Sequence, residues 1–206
     1  YTTYLPVGNL TINKIKSHGG YIYASCSGGQ IFRSPDLGQN WQLFSWPVEN
    51  SVKDFVFTGD FPGVFVTQSG EIYKTTDGSG WFLKLDGLQT SLNSLFSPQA
   101  NILLAGSGNG KVYRSTDLGE TWQTTETGSI YTIEQLNFYS NTSGFAVSDS
   151  GEVFHTSNQG ISWSGYPLFN SLKAVSVHFI NTEKFYFGGL TGNILRFTTA
   201  DASWYH

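Results

Sequence analysis

The stretch Ser115-Thr116-Asp117-Leu118-Gly119-Glu120-Thr121-Trp122 decides the reading of this chain. A small hydroxyl residue comes first, then Asp, Gly and Trp at the third, fifth and eighth places. Ser34, Asp36, Gly38 and Trp41 form an earlier copy. Thr156, Asn158, Gly160 and Trp163 form a later one, with Asn in the Asp place. Thr75, Asp77 and Trp81 belong to a copy one residue shorter, and a degenerate copy with Asp201 and Trp204 lacks the Gly. The five tryptophans are separated by 40, 41, 41 and 41 residues. A fixed period of that size marks a propeller, a solenoid or an array.

The stretch is a folding device. The hydroxyl and the Asp carboxylate can accept bonds from turn N–H groups a few residues on. Gly takes a positive φ without a Cβ clash. The Trp then opens the next strand and packs its ring under the turn, anchoring the hairpin to its own sheet. Repetition suits a turn better than a single catalytic site, so these Asp residues read as structural.

The pattern resembles the Asp-box, or BNR repeat, found in sialidases, sortilin-type receptors, some glycoside hydrolases and photosystem II assembly factors. Gly144-Phe145-Ala146-Val147-Ser148-Asp149-Ser150-Gly151-Glu152-Val153-Phe154-His155-Thr156, running on to Trp163, is most similar to the last family. The likeness spans nearly the whole chain because the period does. It implies a propeller and leaves function open, since Asp-boxes occur in proteins of unrelated activity.

The rest of the chain fits one all-β domain over residues 1–206. Aromatic residues make up 16%, there are 24 glycines, and only 13% of residues are charged. That balance suits short buried strands joined by tight turns. Each repeat carries four short apolar runs; the second has them at 52–57, 64–68, 71–75 and 81–85. Gly29, Gly70, Gly110, Gly151 and Gly192 each stand before the third run, with hairpin chemistry around them. The reading is therefore a five-bladed β-propeller with four antiparallel strands per blade. Residues 1–6 match the segment that follows Trp41, and only two residues follow Trp204. The N-terminal strand is expected to close the ring by pairing residues 1–5 with 193–198. A stacked solenoid would want polar end caps instead.

One position in the third run is basic every time. Arg33, Lys74, Arg114, His155 and Arg196 fill it, with one extra residue after Arg196, and these include every arginine of the chain. A local reading has the stem cover the turn Trp and the head pair with the turn. A functional reading makes the five a basic ring on the turn-bearing face, able to dock an acidic partner. Photosystem II assembly factors carry arginines at the matching place, so the resemblance implies this second reading. The three-arginine carboxylate clamp of sialidases is excluded, because a repeat position spreads its residues around a ring and sialidases are six-bladed.

The first runs should line a channel. Asp54 and Glu134 are the one carboxylate pair of glycosidase type there, weighed against mutual satisfaction with neighbours such as Asn13, Lys14, Lys53, Asn93 and Gln135. Trp46, Tyr131, Tyr166 and Phe169 sit in the loops between repeats and suit either a protein or sugar surface or the packing of one repeat on the next. Cys26 is alone, and the histidines show no metal-ligand spacing, so neither a metal nor a cofactor is expected.

With a net charge of −4 the chain offers no electrostatic case for nucleic acid, and no apolar run is long enough to cross a membrane. The absence of Met, the low charge and the sequons at Asn9 and Asn141 lean toward an extracellular, cell-surface or periplasmic protein. The expected function is a non-enzymatic binding or scaffold module with a protein partner. A glycan-binding lectin is the alternative, and a glycoside hydrolase stands behind it.

Overall fold

The structure is a computed structural model. It describes residues 9–45, 48–60, 62–166, 174–181, 183–189, 192–198 and 203–205, without the side chains of 175 and 203–205. Among the described residues it is all-β, with five four-stranded antiparallel sheets. Sheet 1 holds β1 (Ile12–His18), β2 (Tyr21–Cys26), β3 (Ile31–Ser34) and β4 (Gln42–Leu43). Sheet 2 holds β5 (Val52–Phe57), β6 (Gly63–Thr67), β7 (Ile72–Thr75) and β8 (Phe82–Leu85). Sheet 3 holds β9 (Leu92–Gln99), β10 (Ile102–Ser107), β11 (Lys111–Ser115) and β12 (Gln123–Glu126). Sheet 4 holds β13 (Ile133–Phe138), β14 (Gly144–Ser148), β15 (Val153–Thr156) and β16 (Ser164–Gly165). Sheet 5 holds β17 (Ala174–Phe179), β18 (Lys184–Gly189), β19 (Ile194–Thr198) and β20 (Ser203–Tyr205). Each sheet is a meander whose neighbours in space are neighbours in sequence. Among the described residues no helix is long and apolar enough to cross a membrane.

The repeat turn explains why the third and fourth strands of each sheet pair. Ser115 Oγ accepts from the Gly119 N–H at 2.8 Å and donates to Asp117 Oδ1, also at 2.8 Å. Asp117 then accepts from Thr121 N at 2.9 Å and from Thr121 Oγ1 at 2.6 Å. The turn at Ser34 and Asp36 makes the same bonds with Gly38 and Asn40. At Thr156, Asn158 does the work of Asp: Oδ1 accepts from Ser162 N, and Nδ2 donates to Ser162 Oγ. In the shorter copy Thr75 and Asp77 cap Gly78 and Ser79. The residue before the Gly is itself left-handed in the three longer turns: Leu37 (φ 59°), Leu118 (φ 60°) and Gln159 (φ 64°). Such a residue costs roughly 1–2 kcal/mol. Two of the three hold a compensating bond, from Leu118 N to Asn101 O and from Gln159 N to Thr142 O.

The tryptophans correct one expectation. Trp81, Trp122 and Trp163 are half-buried, and each packs into the cluster shared with the preceding sheet rather than only on its own sheet. The core is therefore distributed between sheets. Val64, Val66 and Ile72 of sheet 2 meet Leu92, Leu95 and Leu103 of sheet 3. Tyr23 and Ile31 meet Val52, Phe55 and Phe65. Leu104 and Val112 meet Ile133, Leu136 and Ala146. Phe145, Val147 and Val153 meet Ala174, Val177 and Phe187. Among the described residues no such cluster joins sheet 5 to sheet 1.

Closure also needs correction. The edge of β19 at Arg196–Thr198, assigned above to residues 1–5, is taken by Ser203–Tyr205 of the same sheet. Residues 1–5 themselves lie outside the described residues, as do Asp201 and Trp46.

Candidate functional site

The first strands of consecutive sheets pack side by side, and polar side chains from four of them line one cavity. Each first strand carries a β-bulge at the same place, which lifts Asn13, Lys53, Asn93, Glu134 and residue 175 out of register. The residues beside the bulge then reach across to the next strand's backbone. Asp54 Oδ2 accepts from Leu95 N at 2.9 Å, Ser94 Oγ donates to Ile133 O at 3.0 Å, and the Gln135 amide bonds both N and O of Val177. Lys16 Nζ joins three strands, at 2.6 Å from Asp54 Oδ1, 2.7 Å from Phe55 O and 3.3 Å from Leu95 O. Burial pulls the Lys16 ammonium below its ordinary pKa, and the Asp54 carboxylate opposes that shift.

This geometry bears on the glycosidase pair. Asp54 is buried, and its Oδ1 also accepts from the Phe55 N–H at 2.7 Å, while Lys14 Nζ stands 4.0 Å from Oδ2. Glu134 is exposed and accepts from Asn93 at 3.1 Å. The cavity that both line, with Lys14, Lys16 and Asn137, is about 180 Å³. A nucleophile or general acid must reach its substrate. Asp54 is instead held by two backbone N–H groups and the ammonium groups of Lys16 and Lys14, as a structural joint.

The basic slot is real as a register position. Arg33, Lys74, Arg114, His155 and Arg196 pair with Tyr23, Val64, Leu104, Phe145 and Tyr186 at one level of the five sheets. Their heads do not form an open ring of charge. Lys74 is buried, and its Nζ sits 2.7 Å from Glu120 Oε1 in the repeat turn of the next sheet. Glu120 also takes Lys84 Nζ at 2.6 Å. Arg114 Nε donates to Gln159 O, again in the next sheet's turn, at 2.9 Å. Arg33 lies over the rings of Tyr21 and Phe44, 5.1 Å from each centroid. His155 Nε2 lies 3.0 Å from the Tyr139 hydroxyl, and burial lowers its pKa, which favours the neutral ring. Lys74 and Arg114 are thus clasps between neighbouring sheets. The local reading placed these heads on their own turns; Lys74 and Arg114 instead meet residues 46 and 45 positions on, contacts that form only once the sheets pack.

The loop aromatics divide. Tyr166 is half-buried, edge-on to Phe145 at 5.0 Å and near Phe197, so it belongs to the packing between sheets 4 and 5. Trp46 and Phe169 are outside the described residues. Tyr131 is 47% exposed, and its neighbour Ile130, which the sequence reading passed over, is 78% exposed. The loop that carries them is fixed from below. Thr127 Oγ1 donates to Gly110 O at 2.6 Å and accepts from Ser129 N at 3.1 Å. Ser129 Oγ donates to Glu152 and accepts from Tyr131 N at 3.0 Å. Thr127 and Ser129 are both buried. Gly110 is left-handed (φ 80°) and has the Ser129 carbonyl only 2.1 Å from where a Cβ would stand, so no other residue allows this approach. The only signal for this in sequence was an Ile-Tyr pair in an otherwise polar loop.

No protein-family model matches the chain, and no curated protein matches it. Solved structures do. An ancestral GH74 enzyme superposes with a TM-score of 0.78 at 17% identity, over 94% of this chain and 30% of its own. YCF48 from Cyanidioschyzon merolae gives 0.72 at 12% identity, over 97% of this chain and 73% of its own. The WD40 β-propeller domain of Doa1 gives 0.71 at 10% identity, over 96% and 72%. This chain therefore spans less than a third of the GH74 enzyme and about seven tenths of the other two. At these identities the likeness defines the fold alone: the chain has a β-propeller fold.

Proposed function

We propose that this chain is a protein-binding propeller, that its five sheets are five blades of the Asp-box kind, and that its contact surface is the face bearing the loop 127–132. The observation that carries the reading is the exposed pair Ile130 and Tyr131 on a loop pinned by buried Thr127 and Ser129. Binding energy concentrates in a few apolar or aromatic anchors, and an anchor already held in place loses little entropy on docking. The matching hydrogen bonds in four repeat turns support the Asp-box kinship. The lectin reading wants the same pocket in every gap between blades. The loop amides and hydroxyls are used internally instead, Asn50 on Glu71 and Ser129 on Glu152.

Selection of displayed peptides against the protein tests the face. The variant I130A/Y131A should bind the selected peptides at least about tenfold more weakly, with a melting temperature within about 1 °C of the parent. Peptides that bind parent and variant equally would place the contact elsewhere, and ligands found only on a glycan array would favour the lectin. We further infer a location outside the cytoplasm, supported by the absence of Met, the low charge and the exposed sequon at Asn141. Recovery of the native protein in a cytoplasmic fraction would overturn that.

A further inference from the structure

The side of the molecule that carries loop 127–132 also carries most of its unpaired negative charge. In each antiparallel meander the loop leaving the fourth strand and the turn between the second and third strands lie on one side, and the repeat turns lie on the other. Hydrogen bonds tie the first set together: Asn50 Nδ2 donates to Glu71, Thr127 Oγ1 to Gly110 O, and Asp149 N to Thr132 O. Around Ile130 and Tyr131 stand Glu126, Glu134, Asp149 and Glu152, all exposed. Glu126 ends β12 just before the loop, and Glu134 lies just after it in β13. Asp149 and Glu152 belong to the turn bonded to the loop through Thr132 and Ser129.

These charges are left largely uncancelled. Glu126 meets Lys111 Nζ at 3.1 Å. Glu134, Asp149 and Glu152 make no salt bridge among the described residues. Glu134 and Glu152 accept from Asn93 and Ser129, neutral donors that leave the charge in place. Glu49, Glu71 and Asp86 continue the same side along the earlier sheets, where Lys53 and Lys111 are the described cations. The chain as a whole has a net charge of only −4. The repeat-turn side differs. Asp36, Asp77 and Asp117 turn their oxygens to their own turn N–H groups, and Glu120 is held by Lys74 and Lys84.

Given a docking role for loop 127–132, we propose that its partner is a basic protein segment in which lysine or arginine flanks an aliphatic or aromatic residue. The apolar residue packs on Ile130 and Tyr131 and supplies affinity. The flanking cations meet Glu134, Asp149 and Glu152, which fixes the choice of partner by sign of charge and speeds encounter. The same field repels acidic segments and nucleic acid.

Fluorescence anisotropy with labelled synthetic peptides tests this. The peptides share leucines and a tyrosine, and lysine, serine or glutamate fills the other places. The lysine peptide should bind at least about tenfold tighter than the serine peptide, with the glutamate peptide weakest. Raising the salt from about 0.02 M to about 0.5 M should remove most of that preference. Glu134→Gln with Asp149→Asn should weaken the lysine peptide at least about fivefold and leave the serine peptide unchanged. Asp60 and Glu183 are exposed in turns on the opposite side, so Asp60→Asn with Glu183→Gln removes as much charge and should change neither peptide. I130A/Y131A should weaken both. Serine and lysine peptides that bind alike, and that both need Ile130 and Tyr131, would overturn the basic partner and leave the docking face standing. Lysine-peptide binding indifferent to I130A/Y131A would remove the docking face as well. Equal losses in the two charge variants would mean diffuse attraction to an acidic chain. That result, or no measurable binding of the lysine peptide at low salt, also overturns the proposal.

Discussion

The interface between sheets 2 and 3 and the exposed aliphatic residues of sheets 1 and 5 are made from the same alphabet. Leu95 and Ile15 occupy equivalent places on their first strands, and Ile72 and Ile194 on their third. Leu95 and Ile72 are buried under their neighbours, whereas Ile15 and Ile194 face outward. Nothing in the strands themselves differs enough to cause this. Apolar stabilisation belongs to the pair of surfaces, since it scales with area removed from water, so a repeat carries only half of each interface. Much of the burial of this fold lies between sheets, in the four clusters that join consecutive ones.

The sharpest break in the comparison is a pair of truncations. Leu95→Ala should destabilise by about 3 kcal/mol, within the usual range for emptying a packed leucine site. Ile15→Ala should cost less than about 1 kcal/mol, because most of the side chain is already in water. Urea unfolding of the two variants and the parent measures both. Equal losses would show that Ile15 is covered in solution.

The same contrast explains what the sequence could and could not disclose. The repeat turn is local chemistry: Ser115, Asp117, Gly119 and Thr121 complete their bonds within seven residues, so the motif announced five hairpins and their spacing. The glycine before each third strand was legible for the same reason. Neighbour relations were not. Ile12 and Ile15 read like Val52 and Phe55, and Lys74 gave no sign that its counter-charge stood at Glu120 in another sheet. The αL residues Leu37, Leu118 and Gln159 were missed because leucine and glutamine carry no preference for positive φ; the turn's bonds impose it. The bulges behind the channel were missed too. They depend on pairing two strands with one residue to spare, which no single strand reveals.

The clasp between sheets 2 and 3 gives an intermediate effect. Glu120→Gln keeps the shape but leaves the buried Lys74 ammonium without its anion, and should cost about 1–2 kcal/mol. That is less than a fully buried pair would lose, because Glu120 is half in solvent. Lys74→Met removes the buried charge and keeps the stem, so it should be near neutral or stabilising. A parallel loss in both variants would mean that the ammonium serves more than this pair. Peptide binding by Lys74→Met should match the parent, since Lys74 does not reach the surface; a weakened complex would return the slot to the role of a docking ring.

The smallest effect separates the turns themselves. Burial tends to raise the pKa of Asp117, but the bonds from Thr121 and Ser115 outweigh it and hold the carboxyl at about 2, below its ordinary value of 3.8. Hydrogen bonds from Asn40 and Ser79 likewise lower Asp36 and Asp77. A carboxyl depressed in the folded state adds stability above its unfolded pKa and loses it as pH falls toward the folded value. His155 acts in the same direction at higher pH. Burial lowers its pKa from 6.5, so the folded state resists its protonation and stability declines as pH drops below that value. The melting temperature should therefore fall in two stages on acidification, first below about 6.5 and then between about 4 and 2. Asp117→Asn tests the second stage. Asn158 already holds the equivalent turn of sheet 4 through Oδ1 and Nδ2, so the substitution should keep the fold with a small loss at neutral pH. It should also flatten the drop between pH 4 and 2 relative to the parent, while leaving the upper stage untouched. An unchanged acid limb in that variant would mean that the turn carboxylates do not set the acid stability of this fold.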